Sequence, residues 1–461
     1  MSFRAAVLVF TLIASSAAAN GAETENDQVI ADTTEALRKV PNDPIAYQRR
    51  GVARYYKRDY DGALADLDQA VRLEPENAEM RCDRGDVWDI KREYKKAIAD
   101  YTQAIRLAPA DPRGHYQRGN AWLSRDNLDR ALADFNEAIR LAPEDAAAYR
   151  HRANYWEATQ QDDKAIADYR KSIALDPQSV LAFYALGNLY ERKGDLQQAI
   201  GNYSAAYAVV DKHAMFARAI LLSRAGLYDK LGQYDLAIAD YTAMFALDPQ
   251  RGGMALRQRA KTWFAKGNYD RALADYDLIL RKEGPARGTF FELPALIGRA
   301  EVWIAKGDYD KAIADYEEVA RLVPKLRWNA WDKLAKLLIS CPSAKYRDGS
   351  KAVGYATEAC KLTDWKRPDL LSTLASAYAE AGQFDDAIQW QQKAIDLDLA
   401  VDKRQPTRAT NAPDDVKRSK KVRAMDQARA EFRKIREQRL AEMRAHLELF
   451  RQHKTLWPPP K

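Results

Sequence analysis

Ten alanines set the frame of this chain. Ala63, Ala97, Ala131, Ala165 and Ala199 recur every 34 residues, and Ala237, Ala272, Ala312, Ala352 and Ala387 continue the series at spacings of 38, 35, 40, 40 and 35. A period of this length means that one small supersecondary unit is repeated, and that its neighbours supply the core it cannot close alone. Few folds tolerate such a constraint.

Counting Pro44, Ala78, Pro112, Ala146 and Val180 as position 1 of the first five repeats exposes the rest of the pattern. Position 8 is small (Gly51, Gly85, Gly119, Ala153, Gly187, Ala225, Ala260, Ala300) and position 20 is always Ala. Position 24 is large (Leu67, Tyr101, Phe135, Tyr169, Tyr203, Tyr241, Tyr276, Tyr316), position 27 is small in the early repeats, and Pro75, Pro109, Pro143, Pro177, Pro249 and Pro324 stand at position 32. Positions 20, 24 and 27 share one face of a helix. Small residues at 8 and 20 let two helices approach, the bulky residue at 24 fills the space beside them, and Pro stops the second helix. A helix, a turn and a second helix are therefore expected in each of ten repeats. A half-repeat, "VIADTTEALRKVP", precedes them in phase.

The segments "GDYDKAIADYEEVARLVP" (Gly307–Pro324) and "GNYDRALADYDLIL" (Gly267–Leu280) resemble the tetratricopeptide repeat family, and the resemblance runs from about residue 27 to 398. It implies an all-α, right-handed superhelical solenoid of helix-turn-helix repeats. It places a capping half-repeat at 27–43 and the repeats at 44–398, with the first helix of each pair lining a concave side that holds peptides or partner proteins.

Position 7 is Arg in seven repeats (Arg50, Arg84, Arg118, Arg152, Arg224, Arg259, Arg299), and position 23 of the same seven is Asp (Asp66, Asp100, Asp134, Asp168, Asp240, Asp275, Asp315). The other three repeats lack both, with Leu186 and Asn202, Ile339 and Tyr355, Leu374 and Trp390 instead. The two positions change together within one chain, which predicts a structural ion pair across the helix hairpin, or to a neighbouring repeat. The bland alternative is that both are exposed charges copied with the repeat.

By the same resemblance, positions 2, 5, 9, 12 and 13 face the groove. They offer Arg113, Tyr116 and Asn120 in repeat 3, Arg150 and Asn154 in repeat 4, and Tyr184, Asn188 and Arg192 in repeat 5. Asn120, Asn154 and Asn188 form a ladder at one position, and an amide both donates to and accepts from a peptide backbone. This is similar to the Asn ladders of peptide-binding family members, although the full set of basic residues of their carboxylate clamps is not completed here. The bland alternative is Asn tolerated at a solvated position.

The N-terminus, "MSFRAAVLVFTLIASSAAANGAETEN", has a basic start, an apolar run and small residues, the pattern of a signal peptide over 1–19. An exported chain, periplasmic or secreted, with no stable membrane insertion after cleavage is expected. Export permits disulfides. Cys341 and Cys360, close in sequence, are either bridged or two buried thiols, and Cys82 is left over.

Net charge is +7 overall, but the stretch from Val401 to Lys461 holds 17 Lys or Arg against 8 Asp or Glu, so the basic character belongs to the tail. No specific nucleic-acid partner is therefore indicated. A basic linker (399–421), a C-terminal helix (422–457) and a Pro-rich end (458–461) are expected. Phe432, Ile435, Leu440, Met443, Leu447 and Phe450 make an apolar stripe on that helix, which caps the last repeat, mediates self-association or touches an anionic surface. Phe290 and Phe291, in an insertion, either edge the groove or fill a core gap. "CPSAKYRDG", "EACKLTDWK" and "LASAYAEAGQFDDAIQWQQKA" resemble the closing units of secreted repeat proteins common in planctomycete bacteria.

Only five histidines are present, with no HExxH and no phosphate-binding Gly loop. No enzyme activity, cofactor or metal is expected. His115 stands at position 4, where Tyr47 and Tyr149 stand in sister repeats, and reads as a core aromatic substitute. Three functions remain: a scaffold binding a protein or peptide, a structural part of an envelope assembly, and a glycan- or surface-polymer-binding protein.

Overall fold

The computed structural model describes residues 21–210, 215–250, 252–281, 292–322, 327–403 and 420–456. The predicted signal segment, Phe290 with Phe291, most of the predicted linker and the Pro-rich end lie outside the described residues. Those described form 22 α-helices and one short 3-10 turn. The chain divides into two compact bodies, with the boundary between Ala255 and Leu256.

The N-terminal body opens with the helix Gly21–Lys39. Hairpins follow: Pro44–Tyr56 with Tyr60–Leu73, Ala78–Ile90 with Tyr94–Leu107, Pro112–Ser124 with Leu128–Leu141, Ala146–Ala158 with Asp162–Leu175, Val180–Lys193 with Leu196–Val209, and Met215–Lys230 with Tyr234–Leu247. Each first helix packs on its own second helix, and successive first helices of repeats 1 to 4 also touch, so they line up as a wall. The C-terminal body begins in the helix Gly253–Ala265, which pairs with Tyr269–Leu280. It continues with Glu292–Lys306 and Tyr309–Leu322, Arg327–Ser340 and Gly349–Leu362, Pro368–Glu380 and Phe384–Lys403, and the helix Lys420–Arg451. The helix that closes repeat 10 thus runs on to Lys403, into the stretch expected as linker.

Local chemistry starts and stops these helices. Asp43, Asn77, Asp111 and Asp145 accept hydrogen bonds from free N–H groups at the starts of the first helices. Pro44 and Pro112 sit where a missing N–H costs nothing. Position 15 makes the turn and is left-handed in repeats 1 to 5: φ is 64° at Arg58, 63° at Arg92, 65° at Asp126 and 61° at Gln160, and 83° at Gly194. Repeats 1 to 4 thus carry a side chain where the backbone favours Gly.

The seam between paired helices explains position 8. A β-carbon on Gly85 would stand 2.5 Å from the Tyr101 ring, and one on Gly119 or Gly187 would stand 2.7 Å from Phe135 or Tyr203. The ring at 24 lies against the bare backbone at 8 and is fully buried there.

Cys82, Cys341 and Cys360 are all buried free thiols. Cys341 follows the end of one helix of repeat 9 and Cys360 lies near the end of the other, so the antiparallel hairpin carries them to opposite ends. Each packs in a different apolar cluster, and the bridge between them is not formed.

The C-terminal helix lies on repeat 10 through Leu440, Met443, Leu447 and Phe450. Ile435, expected in the same stripe, is 55% exposed, and the side chain of Phe432 lies outside the described residues. Two arginines of this helix turn inward, while Arg433 and Arg444 are exposed. Arg436 and Arg439 both bind Asp398, which is 1% exposed, and Gln391 Nε2 donates to the Met443 carbonyl at 2.9 Å.

Candidate functional site: the wall of first helices

The charges at positions 7 and 23 belong to the frame that holds this wall. Arg50 donates from Nε and Nη2 to both carboxylate oxygens of Asp66, at 2.9 and 2.7 Å. The same fork closes between Arg84 and Asp100, Arg118 and Asp134, Arg152 and Asp168, Arg224 and Asp240, Arg259 and Asp275, and Arg299 and Asp315, with every distance between 2.5 and 2.9 Å. All seven carboxylates are buried. A planar guanidinium matches a carboxylate edge, and its apolar stem covers the seam. These residues are structural and do not reach the wall's exposed face as a site.

Two further patterns run with the fork, and reading the repeat position by position missed both. The third guanidinium nitrogen reaches position 25 of the preceding repeat: Arg84 to Asp68, Arg118 to Thr102, Arg152 to Asn136, Arg224 to Ser204, Arg299 to Asp277. One arginine therefore joins three helices. Position 25 of repeat 4 is Arg170, and the next repeat has Leu186 at position 7. Arg170 turns instead to the Tyr190 hydroxyl at 2.8 Å. The second pattern is a cation over Trp. Lys96 on Trp88, Arg130 on Trp122, Lys164 on Trp156, Arg271 on Trp263 and Lys311 on Trp303 lie 4.3–4.8 Å from the ring centroids. Trp at position 11 with Lys or Arg at position 19 was legible as a covarying pair, like Arg and Asp.

Asn120, Asn154 and Asn188 are not a row of free amides. The Tyr169 hydroxyl donates within 2.6 Å of Asn154 Oδ1, with Glu157 Oε2 at 3.0 Å. Tyr203 does the same to Asn188 at 2.6 Å, with Glu191 at 3.1 Å. The ladder anchors the buried phenol of position 24, and Asn188 also hydrogen-bonds Tyr184. In repeat 3 position 24 is Phe135, which has no hydroxyl, and Asn120 turns to His151 at 3.0 Å.

Most groove arginines are already paired. Arg113 donates to Asp83 at 2.6 Å and Asp86 at 3.2 Å, and Arg192 donates to Glu157 at 2.6 Å and Asp162 at 3.0 Å. Arg150 differs. Among the described residues it has no carboxylate within ion-pair distance, and its Nη2 lies 3.3 Å from His151 Nε2. Burial lowers its pKa from the ordinary value. His151 stacks on Tyr116 at 4.7 Å and 9° between ring planes. Burial, then the Arg150 charge, holds this imidazole well below its usual pKa, so it is neutral. Tyr184 packs between Tyr203 and Phe216, its hydroxyl 3.3 Å from Ser223.

Family models match along both bodies: tetratricopeptide repeat at residues 49–112, 112–145, 222–287 and 368–400, and TPR repeat at 158–194. The chain belongs to the tetratricopeptide repeat family. Its solved relatives include a thermophilic TPR protein of Thermus thermophilus (20% identity over 40% of this chain and 98% of that one, TM-score 0.37). A tetratricopeptide repeat protein of Parabacteroides merdae is 20% identical over 53% of this chain and 93% of that one, with TM-score 0.34. MamA is 26% identical over 34% of this chain and 91% of that one, with TM-score 0.28. No curated protein matches the chain.

The TPR frame accounts for the helix pairs, and the wall residues give this member its own surface. Repeat 2 is acidic there. Burial pushes Asp86 up to about 6 against Arg113 and the Tyr101 hydroxyl, and pushes Asp89 up to about 7. Asp89 Oδ1 is buried without a hydrogen-bond partner. Repeat 4, two steps along, carries Arg150. Among the described residues no group of His, Cys, Asp and Glu could hold a metal ion. His115 is buried with Nδ1 3.3 Å from Asp134, part of the frame.

Proposed function

We propose that this chain is an exported, non-catalytic scaffold that holds a protein or peptide in a groove lined by the first helices of repeats 3 to 5. The observation that carries this reading is Arg150. A half-buried guanidinium with no carboxylate beside it, next to the stacked Tyr116 and His151, is a place kept open for an acceptor group of a partner. The anchored amides of Asn154 and Asn188 flank it, positioned by buried tyrosines. Export rests on the N-terminal pattern and on the resemblance of the closing repeats to secreted planctomycete proteins.

Site-specific photo-crosslinking in the native host tests the reading. A crosslinker replacing Asn154 should label one partner, and Arg150→Ala should abolish that labelling. A crosslinker at the exposed Leu236, on a second helix, should label nothing in common. Equal labelling from both positions, inside one large sedimenting complex, would make the chain an envelope component instead. Retention on cell-wall polymer with no protein labelled would make it a polymer-binding protein.

A further inference from the structure

The groove of the proposed function carries many charges, and nearly all of them are spent inside the chain. Arg113 holds Asp83 and Asp86, Arg192 holds Glu157 and Asp162, and Lys230 holds Glu191 at 2.7 Å. The acids at position 12 are also met from the second helices. The hydroxyls of Tyr169, Tyr203 and Tyr241 lie 3.0, 3.1 and 2.9 Å from Glu157, Glu191 and Asp229. Arg150 is the exception. Among the described residues its guanidinium meets the neutral His151 ring and no carboxylate, so the groove positions of repeats 3 to 5 hold one open positive charge.

A single open charge selects the kind of acceptor. A phosphate group carries close to two charges and calls for several cations. A backbone carbonyl would leave the charge uncompensated, and a partly desolvated charge gains most from an opposite one. A chain-terminal carboxylate suits the charge but not the place. Arg150 lies in the fourth of the six hairpins of its body, and the first helices of repeats 1 to 4 touch in sequence. A chain ending at Arg150 would leave the wall bare on one side.

Farther along the same wall, repeat 2 presents Asp83, Asp86 and Asp89 on one helix against the single cation of Arg113. With helix axes about 8–10 Å apart, that face lies about 16–20 Å from Arg150. An extended chain covers this span in about five or six residues. Like charge makes the face a filter against a second acid there.

Resting on the groove reading, we propose that the partner enters as an internal, extended segment. It seats one aspartate or glutamate side chain on Arg150 and carries no second acid about five or six residues away toward repeat 2.

An array of random decapeptides, acetylated and amidated at their ends and probed with the full chain, tests this. Bound peptides should contain one Asp or Glu far above its frequency in the array, with a second acid depleted at that spacing in one direction. For the best peptide, Arg150→Ala should weaken binding by about tenfold or more, the value of one charge-assisted hydrogen bond. Arg150→Glu should reverse the preference toward Lys and Arg, a gain that an unfolded wall could not produce. An array without bound peptides, binding without enrichment of acids, or an acid preference that survives in Arg150→Ala would overturn the inference. So would stronger binding of peptides with a free carboxyl end, or with phosphoserine in place of the acid. If crosslinking at Asn154 still labels one partner, the groove reading survives all of these results. If it labels none, the groove reading fails whatever the array shows.

Discussion

Repeat 4 closes its helix pair with Arg152 on Asp168, and the Trp156 indole N–H donates to the same carboxylate at 3.0 Å. Repeat 5, next along the wall, has Leu186 and Asn202 at those positions. Leu186 is 3% exposed in a large apolar cluster, and Asn202 turns back to the Gln198 carbonyl of its own helix. Both repeats share the Tyr–Asn–Glu contact that anchors position 24. One skeleton is therefore fastened in two ways. The buried ion pair is replaceable by apolar packing, as buried pairs commonly are, provided both partners change. The polar residue preceding the repeat must change as well: Asn136 serves Arg152, whereas Arg170 precedes Leu186.

The hardest way to break this comparison is Leu186→Arg. The new guanidinium would meet Arg170 and find no carboxylate, at a cost of about 4 kcal/mol or more. Adding Asn202→Asp should restore only part of it. The triple variant that also carries Arg170→Thr should return to within about 1 kcal/mol of the parent. Denaturant unfolding monitored by amide exchange in repeats 4 and 5 reads this, because a repeat array need not unfold in one step. Full recovery in the double variant would show that position 25 takes no part.

Next in size is Asp168→Ala, which leaves Arg152 half-buried and Trp156 without its acceptor. A loss of about 3 kcal/mol is expected. The paired swap Arg152→Leu with Asp168→Asn imports the fastening of repeat 5 and should recover most of it. A double variant no better than the single one would mean the ion pair is specific to its place.

These contrasts also mark what the sequence could tell. The period, the helix pairs and the Arg–Asp fork were readable because each depends on spacing inside one repeat. The Trp–cation pair was equally readable, in Trp88 with Lys96 and its sisters. Contacts that cross repeats were harder. Nothing in the spacing of Arg84 says that it also binds Asp68, and a free-amide reading of Asn154 overlooks the phenol of Tyr169 beneath it. At the C-terminus the apolar stripe packs at Leu440, Met443, Leu447 and Phe450, while Ile435 stays out. There a buried acid, Asp398, draws Arg436 and Arg439 inward, which helical periodicity does not reveal.

Position 6 offers a test by pH. It is His151 in repeat 4 and Ala185 in repeat 5. The pKa of His151 is lowered on folding by burial and by Arg150, and Asn120 and Tyr116 hold the ring. The unfolded chain therefore binds more protons below about pH 6.5, and stability falls as the pH drops through that value. His151→Ala should flatten this dependence between about pH 6.5 and 5. Asp89 works in the opposite sense. Its pKa is raised on folding to about 7, so its burial favours the fold at low pH and loses that advantage as pH rises toward 7. Asp89→Asn should therefore stabilise the chain at pH 8 and do little at pH 4. Parallel pH profiles for the parent and both variants would remove this account of the wall.

The smallest effect lies at the turn, where Gln160 of repeat 4 has φ 61° and Gly194 of repeat 5 has φ 83°. A side chain in the left-handed region costs roughly 1–2 kcal/mol, part of which Gly returns as unfolded-state entropy. Gln160→Gly should thus raise stability by about 0.5 kcal/mol, and Gly194→Gln should lower it by a similar or larger amount. The asymmetry matters more than the size. Gln160 makes no hydrogen bond with its side chain among the described residues, whereas its N–H donates to the Glu157 carbonyl at 3.1 Å, a bond Gly keeps. A loss of stability in Gln160→Gly would mean that the flexibility gained by the unfolded chain outweighs relief of the turn. The non-Gly turns of repeats 1 to 4 would then be a stabilising feature of that stretch and no relic of drift.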